Sequence, residues 1–183
     1  MSKKIIKKIF TNTGPKILFK EKENNKFKKL SNLVLKSFGK INQNKIFYVI
    51  KRTPGAGLFS NVIFVLNHLL IAKKHNFIPV IDMKNFPTIY SENYKIHKTN
   101  NSWEYYFENL NKIKLEEVYQ SNNVIITSNK FEKFFEKDLI SEEIKTAFRE
   151  NLKIKKKFEK IINIFEKKNF KEKRVLGIHF RGT

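Results

Sequence analysis

Cysteine is absent from this chain, which excludes disulfides and thiolate metal sites. Glycine and proline are scarce, six and four residues, so those that fall between periodic segments mark real turns. No apolar run reaches the length of a membrane-spanning helix. The four histidines, His68, His75, His97 and His179, show no zinc-like spacing. Lys7 and Lys8 interrupt the apolar residues of the N-terminus, which makes it a poor signal peptide. Acidic residues are few: 17 Asp and Glu stand against 38 Lys and Arg, a formal net charge of +21.

What remains is a chain of 183 residues with 40% hydrophobic content, enough for one domain with a real core. Its excess charge is mostly lysine, spread along the whole length. Strong positive charge invites a nucleic-acid partner, but dispersed lysine reads as a solvated surface, and no recognised nucleic-acid motif accompanies it. Nucleic acid is therefore the disfavoured partner. The same surface attracts anionic sugar nucleotides, or the anionic face of an inner membrane.

Residues 1–44 form a lysine-rich, weakly periodic segment. Ile5, Ile6, Ile9 and Phe10 make a small apolar strip. It reads either as a leader packed on the domain or as a basic anchor on an acidic membrane. An α/β domain is expected over residues 45–172. Ile46–Ile50 is a strand bounded by lysines. Val62, Ile63, Val65, Leu66, Leu69 and Leu70 then recur at helical spacing from about Phe59 to Lys74, and Asn76 suits the helix end. Phe77–Ile81 is a second strand, with Asp82 at its exit. Together they make a βαβ unit with parallel strands.

Beyond it, Asp82 to Ser102 is polar and turn-rich, and Trp103–Phe107 opens a short aromatic helix or turn. Leu115–Tyr119 reads as helical and Val124–Thr127 as a third strand. Phe131, Phe134 and Phe135 suit a short helix. One long helix is expected from about Ser141, a plausible N-cap, to Lys168. Its stripe of Ile144, Phe148, Leu152, Phe158, Ile161, Ile162 and Phe165 reads as core. Residues 173–183 begin a further, incomplete domain, with Val175–Ile178 a short buried strand. The chain is thus expected to be the front part of a longer protein.

Two segments point to chemistry. Gly55-Ala56-Gly57 sits between a strand and a helix. The first glycine suits a tight turn, and the second removes a side chain where a phosphate would approach. Ser60 and Asn61 stand at the helix start, where backbone N–H groups favour anions. This is no Walker loop, because the Gly-Lys-Ser/Thr end is missing. It half-matches the dinucleotide fingerprint, and Asp82 lies near where a ribose-binding acid is expected. Close packing alone also explains glycines in such a turn. The second segment is His179-Phe180-Arg181-Gly182-Thr183, at the C-terminal end of its expected strand, where open α/β sheets bind ligands. Arg181 there suits a phosphate oxygen.

Pro54 to Asn61, the apolar helix, and Phe77 to Asp82 together resemble the start of fucosyltransferase-like glycosyltransferases. Asn101-Ser102-Trp103-Glu104-Tyr105-Tyr106-Phe107-Glu108 looks like an element of some members. Gly177 to Thr183 resembles the His-x-Arg motif shared by α-1,6-, α-1,2- and protein O-fucosyltransferases, with Gly182 where many relatives carry a second arginine. The resemblance implies a GT-B-like enzyme, of which this chain supplies a Rossmann-like N-terminal domain and stops at the first strand of the second. It implies a GDP-fucose donor, a glycan or lipid-linked saccharide acceptor, and no obligatory metal or cofactor. It assigns Arg181 to the donor diphosphate and His179 to the same pocket. Gly55, Gly57, Ser60 and Asn61 would meet the nucleotide across the cleft. The chain alone is expected to be inactive.

Acceptor activation needs a general base or a cation-like transition state. Asp82 and Glu104 are the candidate bases. Glu104 lies among aromatic residues that would stack on sugar faces, or else is a surface acid beside a core tryptophan. His68 and His75 read as structural, and His97 as a loop residue without a partner. Two further readings stay open: an NAD(P)-dependent Rossmann oxidoreductase and a basic nucleic-acid-binding module. A cytoplasmic location, peripheral to the inner membrane face, fits the missing export signal and the supply of sugar nucleotides.

Overall fold

Four consecutive apolar residues, Phe47–Ile50, have the pattern of a strand covered on both faces, and all four are buried. The computed structural model describes residues 7–11, 14–18, 34–52, 55–128, 142–171 and 176. In chain order these form β1 (Lys7–Thr11), β2 (Gly14–Leu18), β3 (Leu35–Lys36), β4 (Phe47–Ile50), α1 (Leu58–His75), β5 (Ile78–Ile81), a 3-10 helix (Ser102–Tyr105), α2 (Leu115–Val118), β6 (Val124–Ile126), α3 (Glu142–Asn151) and α4 (Lys156–Asn169). The fold is mixed α/β. Its four-stranded sheet has the order β3-β6-β4-β5. β4 runs parallel to β5 and β6, and β3 runs antiparallel to β6. β1 and β2 pair with each other.

The alternation of side chains along β4 divides the core. Tyr48 and Ile50 face α1 and join Val62, Val65 and Leu69. Phe47 and Val49 face the other way, with Val80, Val118 and Val124. α1 is apolar around most of its circumference and buries ten residues, as a helix covered on several sides must. It packs on β4 and β5 and takes α3 on another side. Its end is a Schellman motif: Asn76 turns left-handed at φ 55°, and the Phe77 and Asn76 N–H groups cap the Ala72 and Lys73 carbonyls.

Residues 1–44 contribute more than a leader. β3 adds to the edge of the sheet, with Leu35 in the core. A two-residue strand is too short to leave a period in the sequence, so no pattern announced it.

The single helix expected from Ser141 to Lys168 is two helices. At Leu152–Lys155 the chain leaves the helix and pairs with the segment after the 3-10 helix. The Glu108 N–H bonds the Lys153 carbonyl at 2.7 Å, and the Lys155 N–H bonds the Tyr106 carbonyl at 3.0 Å. These bonds take up the Lys153 carbonyl and the Lys155 N–H where the intrahelical ladder stops. α3 buries Ile144 and Ala147. α4 buries nothing, and Ile161 and Phe165 stand 61% and 56% exposed. The apolar stripe is therefore core in its first part only.

The expected helix at Phe131–Phe135, and Ser141, lie outside the described residues. So do Gly177 to Thr183. Of the strand expected at Val175–Ile178 only Leu176 is described; it is 84% exposed and in no strand.

Candidate functional site

The parallel register brings the exits of β4, β5 and β6 to one edge of the sheet. The Asp82 N–H bonds the Ile50 carbonyl at 3.0 Å and the Thr127 N–H bonds the Val49 carbonyl at 2.9 Å. The Lys51 N–H reaches Thr127 Oγ1 at 3.0 Å. Ligands of open α/β folds bind at such an edge.

The glycine turn lies there. Gly55 has φ 104°, a conformation that side chains with a Cβ resist. Gly57 has φ −64°, an ordinary value, and a Cβ on it would meet nothing closer than Tyr90 Oη at 4.0 Å. Only the first glycine is therefore demanded by the backbone. Tyr90 Oη accepts the Leu58 N–H at 2.8 Å, and the Gly57 carbonyl accepts the Asn61 N–H. The N–H groups of Phe59 and Ser60 come before the helical ladder begins. Ser60 is exposed, and its Oγ accepts a 3.3 Å hydrogen bond from Arg52 Nη2. The Arg52 guanidinium lies 4.5 Å from the Phe64 ring centre. In the sequence Arg52 is marked only by its position straight after a strand.

Asn61 meets this turn only from beneath, where its Nδ2 donates to the Ala56 carbonyl at 3.5 Å. It is buried, 2% exposed, and its Oδ1 has no partner. It lines a cavity of about 10 Å³ with Trp103, whose Nε1 also lacks a partner. A void of that size holds one water at most. The Asn61 amide thus faces the interior and not the open side of the turn.

Asp82 stands at the expected edge but is fully buried. Oδ1 accepts the N–H groups of Lys84 and Asn85 at 3.2 and 2.9 Å. Oδ2 accepts Asn85 Nδ2 at 2.9 Å and Tyr119 Oη at 2.6 Å. Four bonds fill the acceptor capacity of a carboxylate. Neither a base role nor a ribose contact fits this geometry, and Asp82 acts as the staple of the turn after β5.

Glu104 is held differently. Oε2 accepts Thr99 Oγ1 at 2.8 Å, and Oε1 accepts Asn101 Nδ2 at 3.3 Å and Asn109 Nδ2 at 3.4 Å. Of its aromatic neighbours, Trp103, Tyr105 and Phe107 are buried in the fold and Tyr106 is half-buried against the core; none of them lines the cleft that Glu104 faces. The carboxylate lines an open cleft of about 390 Å³ beside β5. This cleft had no signature in the sequence, because its wall comes from three separate polar loops.

His68 is buried and shares a 2.8 Å hydrogen bond with Tyr48 Oη. Burial, and then the charge of Arg52, lower its pKa to about 4. It is a neutral core histidine, as its place on the buried face of α1 suggests. His97, read as lacking a partner, contacts Lys157. His179 and Arg181 lie outside the described residues. Among the described residues no group of three or more His, Cys, Asp or Glu is placed to hold a metal ion, and no helix is long and apolar enough to cross a membrane.

No protein-family model, curated protein or solved structure matches the chain.

Proposed function

We propose that the chain is the acceptor-facing part of a fucosyltransferase-like glycosyltransferase, which moves fucose from GDP-fucose to a saccharide hydroxyl. The observation that carries this reading is the Gly55 turn, which leaves a parallel strand at φ 104° and opens onto α1 with Arg52 beside Ser60. Open N–H groups, the positive end of a helix dipole and a guanidinium converge there, and all three favour a phosphate. Arg181 and His179 enter from the resemblance of their motif. Arg181 would neutralise charge on the departing GDP as the glycosidic bond breaks. The GT-B arrangement, with a second domain closing the cleft, belongs to the same proposal.

The oxidoreductase alternative loses its main support, because it relied on Asp82 for the ribose and that carboxylate is filled from within. Thermal unfolding with GDP or with NAD⁺ separates the two: GDP is expected to raise Tm and NAD⁺ to leave it unchanged. A shift with NAD⁺ alone would reverse the choice. Inertness toward GDP-fucose, over varied glycan acceptors, of the gene product that contains this chain would remove the transferase reading.

A further inference from the structure

The cleft beside β5 has a chemistry of its own. Five lysines line it: Lys84, Lys95, Lys98, Lys112 and Lys114. Two carboxylates, Glu104 and Glu116, share the lining. Glu116 pairs with Lys84 at 3.1 Å. Its carboxyl lies below the usual range, held first by its own backbone N–H and then by Lys84. Glu104 is bonded by Thr99, Asn101 and Asn109, all neutral. Among the described residues Lys95, Lys98, Lys112 and Lys114 form no ion pair. The lining thus keeps a surplus of positive charge around a fixed carboxylate.

The volume, about 390 Å³, suits a small molecule. The lining contains no aromatic residue. A nucleobase or a single strand would lack its stacking platform. Lysines provide for an anionic group, while Glu104 and the exposed Asn100 amide provide acceptors and donors for hydroxyls. The three bonds to Glu104 leave its carboxylate about one acceptor site, which a ligand hydroxyl can fill and an anion cannot.

We infer that this cleft binds an anionic saccharide, a sugar bearing a phosphate, sulfate or carboxylate group, with the lysines on the anion and Glu104 on its hydroxyls. The assignment rests on the cleft alone and holds whether or not the chain serves fucosyl transfer.

Calorimetry at low salt, on the full chain, tests it with four probes: glucose 6-phosphate, glucose, inorganic phosphate and a single-stranded DNA oligonucleotide. Glucose 6-phosphate is expected to bind more tightly than glucose or phosphate. Combined Lys95→Gln, Lys98→Gln and Lys112→Gln should weaken it by about tenfold or more, the scale of a lost charge-assisted hydrogen bond. All three are exposed, so the fold should persist, which circular dichroism verifies. Glu104→Gln should weaken glucose 6-phosphate and leave phosphate as tight or tighter, since it removes a negative charge from the lining. Equal affinity for phosphate and sugar phosphate, or indifference to both sets of variants, overturns the assignment. Preference for the oligonucleotide does so too, in favour of a nucleic-acid surface. The transferase proposal rests on Arg52, Gly55 and Ser60, none of which lines this cleft, so failure here leaves it standing.

Discussion

Tyr119 Oη lies 2.6 Å from Asp82 Oδ2 and donates its hydrogen bond to a carboxylate with no solvent exposure. The pair ties α2 to the exit of β5, two elements that are far apart in the chain. Burial, and then this bond to Asp82, raise the Tyr119 pKa, so the phenol stays protonated and keeps donating at neutral pH.

Tyr119→Phe should therefore destabilise the fold by about 2 kcal/mol, the value of a hydrogen bond to a buried charge. Urea unfolding measures it. A change below about 0.5 kcal/mol would mean that water or another group satisfies Oδ2 in place of the phenol.

His68 makes stability depend on pH. An unfolded histidine takes its proton near pH 6.5, whereas the folded one resists until about 4. Between those values the unfolded chain holds more protons, so stability rises with pH from about 4 to about 6.5 and is complete above. At about 1.4 kcal/mol per pH unit the contribution is at most about 3.5 kcal/mol. His68→Gln, which cannot take up charge, should flatten this part of the profile in urea melts at pH 4.5 and pH 7. Parallel profiles for both proteins would show that His68 is accessible to protons.

The two turn glycines should respond unequally. Gly55→Val forces a β-branched residue to φ 104° and should cost about 2 kcal/mol. Gly57→Ala meets an ordinary φ and a nearest neighbour 4.0 Å away, and should fall within about 0.5 kcal/mol of the parent. Thermal melts of the two variants check the order, and equal losses would show that the φ of Gly55 carries no cost of its own.

Gly39 is the less conspicuous glycine. A Cβ there would lie against the Gln120 backbone carbonyl, nearer than any real Cβ approaches another atom. The Gly39 N–H also bonds the Ser121 carbonyl at 3.2 Å, which pins the two segments together. Gly39→Ala should cost about 2 kcal/mol or more, as overpacking against a backbone does. A neutral result in urea titration would mean that the segment before β4 can shift aside.

Local pattern carried the βαβ unit. The apolar run of β4, the helical spacing through Leu70, Asn76 at the helix end and the run up to Ile81 are each readable from near neighbours. The break between α3 and α4 was not readable, because the stripe from Ile144 to Phe165 keeps its period across it. Only the Tyr106–Glu108 segment, distant in the chain, competes for the backbone of Lys153 and Lys155.

The site divides along the same line. The glycine turn was visible because backbone geometry at Gly55 is a local demand. The fate of Asp82 was not, since Tyr119 arrives from another element to fill its carboxylate. The lysine cleft also needed folding to exist: Lys84, Lys98 and Lys112 sit on loops that share no sequence period.

By itself, the order of residues determined a basic, cysteine-free α/β chain in which the strand at Phe47–Ile50 and the helix that follows it are buried. That outcome follows from hydrophobic spacing along short stretches. Which polar groups are consumed inside the fold, and which remain open to a ligand, was decided by tertiary structure alone. Hydrogen-bond partners and charge neighbours are set by distances in space, and these arise only once remote segments have packed.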